Sequence, residues 1–284
     1  MTALKHSWIL ALAGMACAET IVKSPDGKIA VHLEMMEGFP LWSASVDGTP
    51  VIKPGPIKIF RGNKAGNMPK CSENNISTRT YDETWKPTWG QFSEVRNHFN
   101  EVTWTIDPGT DIIVRVADEG IAIRYEIEEP KTKIGDRVSF DFAGDHTFWA
   151  ANGEKPNHGP LRFSEWKENT KLQAPMTIKV NDKLYLGVIE SAIYNQYPFH
   201  LQRTSGTTFE TRSGQSSWKG KAQSSWRTLL VGRSAGDLLV NPLIWNLNPK
   251  SKIADTSWIK PGYTLWDWRS WGAKAPDGFE YGLD

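Results

Sequence analysis

Ile112-Ile-Val-Arg-Val-Ala-Asp-Glu-Gly-Ile-Ala-Ile-Arg-Tyr-Glu-Ile127 decides the fold. Ile112, Val114 and Val116 keep a period of two, Asp118-Glu119-Gly120 interrupts it, and Ile121, Ile123, Tyr125 and Ile127 resume it. Successive side chains of a strand point to opposite faces, so this stretch reads as a β-hairpin with one apolar face and a Gly-containing turn. The same period recurs in both directions. It runs through Ile29, Val31, Leu33 and Met35, through Val138, Phe140 and Phe142, and through Met176, Ile178 and Val180. An Asn181-Asp182 turn then leads to Leu184, Leu186 and Val188. Further strands are expected at 41–46, 57–60, 99–106, 199–203, 206–212 and 226–231. The clearest helical signal is Ser234-Ala-Gly-Asp237, a capping box ahead of Leu238-Leu239-Val240. Many strands, frequent turn residues and little helix predict a mainly β protein built as a large antiparallel sandwich.

A net charge of +1 gives no electrostatic case for nucleic acid or an anionic membrane as partner. The 14 tryptophans suit either sugar-facing surfaces or ordinary cores and interfaces. Residues 1–18 read as a secretory signal peptide: Lys5 and His6 precede an apolar run from Trp8 to Ala16, and Ala16-Cys17-Ala18 is a small-residue cleavage site. That run is too short for a transmembrane segment. Cys17 leaves a lipoprotein alternative open, but Gly14-Met15-Ala16 lacks the leucine such a site carries three positions upstream. The expected location is therefore periplasmic or extracellular. Cleavage leaves Cys71 alone in a Pro/Asn/Ser-rich loop, so no intramolecular disulfide is available and the thiol reads as a bystander.

Three stretches are too particular to be generic β structure. They are Tyr81-Asp-Glu-Thr-Trp-Lys-Pro-Thr-Trp-Gly90 with Ser93-Glu-Val-Arg-Asn-His-Phe-Asn-Glu101, then Ala143-Gly-Asp-His-Thr-Phe-Trp149, then the series from Trp226-Arg-Thr through Ser234-Ala-Gly-Asp-Leu-Leu239 and Asn246-Leu-Asn-Pro249 to Asp255-Thr-Ser-Trp-Ile-Lys-Pro-Gly262. With Ser24-Pro-Asp-Gly-Lys28 they resemble the N-terminal domain of glycoside hydrolase family 97. The resemblance implies an antiparallel β-supersandwich of the galactose-mutarotase-like type, packed in the family against a (β/α)8 barrel. It also implies exported α-glycosidases: calcium-dependent inverting α-glucosidases with glutamate acid and base, or retaining α-galactosidases with an aspartate nucleophile. Both sets of catalytic groups lie on the barrel, and the substrates are α-linked oligosaccharides or polysaccharide fragments.

A barrel takes about 250 residues, whereas 22 follow Gly262. The expected organisation is thus a signal peptide at 1–18, the sandwich at 19–254, and at 255–284 a linker with the stub of a barrel. No position matches a catalytic pair, and the chain alone is expected to be inactive.

Glu190 matches the sandwich-domain glutamate that gives calcium a ligand at the domain junction of the inverting members. From the residues themselves, Glu190 falls in phase with Leu184, Leu186 and Val188. Its carboxylate then points to the apolar face, where it needs a cation or several donors, or the strand stops at Val188 and leaves it in water. His146 either faces a sugar or pairs with Asp145 to fix its loop. Trp266, Asp267 and Trp268 end what would be the first barrel strand, the face where barrel sites gather. Arg96, Asn97 and His98 with Glu94 and Glu101 read mainly as strand surface, and Trp85, Lys86 and Trp89 as interface packing. Two further readings stand beside the accessory domain: a free-standing carbohydrate-binding or scaffolding module, and a mutarotase-type enzyme using His146 and Glu190 as acid and base.

Overall fold

The computed structural model describes residues 19–62 and 68–263. The strands run in chain order as β1 (Thr20–Lys23), β2 (Ile29–Met36), β3 (Phe39–Val46), β4 (Thr49–Arg61), β5 (Asn75–Trp85), β6 (Val95–Asp107), β7 (Thr110–Ala117), β8 (Gly120–Ile127) and β9 (Ile134–Phe142). They continue as β10 (Thr147–Ala151), β11 (His158–Arg162), β12 (Lys171–Asn181), β13 (Leu184–Ser191), β14 (His200–Ser205), β15 (Thr208–Arg212), β16 (Ala222–Gln223) and β17 (Trp226–Gly232). Two short helices follow, α1 (Ala235–Leu239) and α2 (Leu243–Asn246).

All paired strands are antiparallel and form two sheets. One runs β1-β2-β3-β4-β9-β15-β14. The other runs β5-β6-β7-β8-β17-β13-β12-β10-β11, with β16 also on the edge of β8. β12 serves both, since Lys171 and Leu172 pair with β14 while its later residues pair with β13. The inward faces share one core that includes Trp42, Phe140 and Phe142 from the first sheet and Trp104, Val114 and Leu186 from the second. This is the large antiparallel sandwich expected from the alternation, and it agrees with the β-supersandwich that the resemblance implies.

The hairpin 112–127 is β7–β8, turning between Ala117 and Gly120, and Asn181-Asp182 joins β12 to β13. Ser234 caps α1 as expected, accepting from Asp237 N while Asp237 accepts from Ser234 N. The periodicity does not reveal β5, whose residues are mostly exposed and which, among the described residues, pairs only with β6. It does not reveal α2 either.

A second, smaller core lies on the outer face of the second sheet, where Phe99, Ile113, Ala122, Trp226 and Leu230 are covered by Leu243 and Leu247. β17 is consequently buried on both faces. The described residues divide into two compact units. The first holds the residues up to Trp85 and Glu94–Pro249, the second Lys86–Ser93 and the residues from Lys250. Within the second unit, Trp89 Nε1 donates to Ile259 O at 2.9 Å. The signal-peptide stretch 1–18 and the expected barrel strand with Trp266, Asp267 and Trp268 lie outside the described residues.

Candidate functional site

The strand of Glu190 does not stop at Val188. β13 continues to Ser191, with Glu190 opposite Arg227 of β17. The period of two therefore carries the Glu190 side chain inward, and only 7% of it is exposed. Water being excluded, its oxygens are served by the protein. Oε2 accepts from Phe199 N at 2.9 Å, and Oε1 accepts from Ser225 Oγ. Arg227 Nη1 lies 3.9 Å from Oε1, and Nη2 of the same side chain lies 2.6 Å from Asp136 Oδ1 on β9. Asp136, Arg227, Ser225 and Glu190 thus form one buried polar group spanning both sheets.

Burial pushes the Glu190 carboxyl above its ordinary range, opposed by the Ser225 bond, the Arg227 charge and the Phe199 N–H, and reinforced by Asp136. Asp136 is likewise raised by burial, against the attraction of Arg227. The alternation rule that placed Glu190 inward applies equally to its partners. Asp136 is in phase with Val138, Phe140 and Phe142, and Arg227 with Leu229 and Val231. That alternation is the sequence signal for both.

Calcium takes roughly six to eight oxygen ligands. Glu190 offers a desolvated carboxylate but has a guanidinium beside it, and among the described residues no three His, Cys, Asp or Glu side chains gather to hold a metal. These residues fit one ligand of such a site and do not make the site by themselves.

His146 belongs to another part of the sandwich. Thr147 pairs with Lys179, which pairs with Tyr185, so His146 is level with Leu184, six residues before Glu190. At strand rise that separation is about 20 Å, which rules out an acid/base pair of His146 and Glu190. The pairing of His146 with Asp145 is not found either. Asp145 accepts from Ser164 N and Ser164 Oγ at 3.0 and 2.8 Å and from Arg162 Nε at 3.0 Å. His146 instead packs edge-on against Phe163, at 6.0 Å between ring centroids.

The polar stretch around Arg96 is mostly strand surface, Arg96 forming a two-pronged pair with Asp82 at 2.8 and 2.7 Å. Glu101 departs from it, being buried between Arg79 Nε at 2.5 Å and Arg115 Nε at 2.6 Å. Trp85 Nε1 donates to Asn246 Oδ1 at 2.8 Å, a packing role. Burial pushes the Cys71 thiol up to about 11, as befits a bystander.

The first unit ends beside Glu190. Ser191 Oγ donates to Ile244 O at 2.5 Å, Asn248 Nδ2 donates to Ser191 Oγ at 3.0 Å, and Trp226 Nε1 donates to Leu247 O at 3.1 Å. α2 and the residues after it are thereby fastened to the strand end that carries Glu190.

A sequence model described as glycosyl-hydrolase 97 N-terminal matches residues 22–249. A retaining alpha-galactosidase of Bacteroides thetaiotaomicron is 21% identical over 300 aligned residues, covering 91% of this chain and 45% of that protein. A probable retaining alpha-galactosidase of Streptomyces bingchenggensis is 27% identical over 176 residues, 58% of this chain and 27% of its own length. Among solved structures, a glycoside hydrolase family 97 enzyme in complex with acarbose, from Pseudoalteromonas sp. strain K8, shares the fold. Its TM-score is 0.75 at 24% identity, over 86% of this chain and 40% of that one. The chain spans less than half the length of these relatives. No helix among the described residues is long and apolar enough to cross a membrane.

Proposed function

Because the chain belongs to glycoside hydrolase family 97, whose N-terminal domain matches residues 22–249, we propose that it is the accessory sandwich of an exported α-glycosidase. The enzyme acts on α-galactosides or α-glucosides in carbohydrate catabolism. The observation that carries the reading is the extent of the match, which takes in nearly the whole first unit while reaching less than half of each relative. The acid and base of glycoside hydrolysis are two carboxyl groups flanking one bond. By the resemblance both belong to a barrel, and this domain contributes carbohydrate-facing surface and Glu190 to the junction.

Glu190 is suited to that place by its position. The last residues of the first unit are fastened to Ser191, so the chain departs from the end of β13. Calcium at the junction would take Glu190 as one ligand, its remaining ligands coming from residues other than those described, and would supply positive charge to the site. Export follows from the signal-peptide pattern at 1–18.

Reading the source DNA beyond codon 284 tests the proposal. A coding sequence for a barrel, with carboxylates at its strand ends, supports it. A downstream region without one favours a free-standing carbohydrate-binding module instead.

A further inference from the structure

Beside the end of β13, but outside the buried group of Glu190, the first unit has a pocket of about 430 Å³ lined by Ala192, Tyr194, Asn195, Ser217, Trp218, Lys219, Lys221 and Gln223. Its volume falls within the roughly 300–1,000 Å³ of small-molecule sites. Two segments make its walls, the loop after β13 and the loop leading into β16. Tyr197 of the first loop lies against Gly214 of the second, where a Cβ would meet the Tyr197 ring at 2.9 Å. The β13 loop holds two non-glycine residues in the left-handed region, Ala192 at φ 56° and Asn195 at φ 55°, and both line the pocket. An alanine there costs energy that a plain connection has no need to spend, and such outliers gather at ligand sites.

The lining specifies a class of ligand. Trp218 and Tyr194 supply aromatic surface, Trp218 half-buried against the main core and Tyr194 exposed. Asn195 and Gln223 supply amides, and Ser217 a hydroxyl. Gln223 is oriented by its own bond from Nε2 to Glu126 Oε1 at 2.7 Å, which leaves its carbonyl to accept. Lys221 is neutralised by Glu126 at 2.7 Å and Glu128 at 3.1 Å, whereas Lys219 has no carboxylate partner among the described residues. The lining has no arginine and no helix N-terminus, the groups that make phosphate sites. An apolar C–H face against aromatic rings, with amides, a hydroxyl and an ammonium at the edges, is the chemistry that recognises a pyranose.

We propose that this pocket binds one pyranose unit of a neutral oligosaccharide, with Trp218 and Tyr194 against the ring and Asn195, Lys219 and Gln223 on its hydroxyls. The proposal deepens the carbohydrate reading above and rests on it for the class of ligand. It adds a site that neither Glu190 nor a catalytic pair defines.

The test is a titration of the full chain with melibiose and with maltotriose, followed by amide and indole NMR shifts. One of the two sugars is expected to saturate shifts at Trp218, Tyr194 and Asn195. Trp218→Ala should weaken binding at least about tenfold. Tyr194→Ala with Lys219→Ala, two exposed positions that leave the fold intact, should weaken it by a similar factor. Glu190→Gln should leave the affinity within about twofold. Saturable binding that survives all the pocket variants overturns the pocket while leaving the carbohydrate reading intact. Binding lost only on Glu190→Gln overturns it as well. No shift with either sugar, up to their working solubility, overturns the pocket; the carbohydrate reading is then judged by the downstream coding sequence.

Discussion

Arg227 and Glu190 are cross-strand neighbours inside the sandwich, Nη1 of the first 3.9 Å from Oε1 of the second, and the same guanidinium reaches Asp136 on the opposing sheet at 2.6 Å. None of the Arg227 side chain meets solvent. One cation therefore balances two desolvated carboxylates, and also donates to Ser225 O at 2.6 Å. Removing one partner of a buried pair leaves the other uncompensated, at roughly 3–5 kcal/mol. Arg227→Met should lose stability of that order in urea unfolding at neutral pH. Adding Asp136→Leu to it should recover much of the loss. A single variant as stable as the parent would mean that the group is not load-sharing as described.

Glu101 makes a pH-dependent contribution to stability. Burial works against its charge, but the bonds from Arg79 and Arg115 outweigh it and hold the carboxyl below 4.5. A depressed folded value means that the carboxylate stabilises above the ordinary value, and that the contribution disappears as pH falls through the lowered one. Glu101→Gln should therefore cost roughly 1.5–3 kcal/mol at neutral pH. The gap from the parent should begin to narrow as pH falls below the ordinary carboxyl value and should close only once pH has passed the lowered one. A gap independent of pH would contradict the ion-pair account.

Gly120 opens β8 at φ 149°, where an added Cβ would meet Leu229 O at 2.3 Å. Gly120→Ala should cost at least about 2–3 kcal/mol from strain and displaced backbone, visible as a lowered Tm. An unchanged Tm would show that β17 can move away, against its burial on both faces.

Which of these features the sequence discloses depends on burial. β2 buries one face, and β7, β8, β9 and β13, although covered on much of both, give most of their large apolar residues to the main core, so the alternation is legible. β5 buries almost nothing and carries no such pattern. α2 covers the second core with Leu243 at one turn and Leu247 beyond it, too short a segment for a helical period to register. At the site, phase points Glu190 inward only if β13 runs past Val188, which the pairing with β17 decides, and its donors come from residues distant in the chain. Ser225 and Phe199 reach it through the β17 pairing and the loop after β13, and no local spacing announces either. The separation of His146 from Glu190 follows from the register of three strands, which composition and motifs do not encode.

Calcium offers a prediction of its own. With one carboxylate available and Arg227 beside it, the chain should show no saturable calcium binding at micromolar concentration by isothermal titration, and Glu190→Gln should change nothing. A tight site abolished by Glu190→Gln would mean that the described residues hold calcium without further ligands.

The measurement closest to the central claim is hydrolysis of aryl α-galactosides and aryl α-glucosides by the purified chain, with the intact Bacteroides thetaiotaomicron relative run alongside. The accessory-domain account predicts turnover by the relative and none by this chain, with or without added calcium. Turnover by this chain that disappears on Glu190→Gln would contradict it, and would place the catalytic group within the sandwich itself.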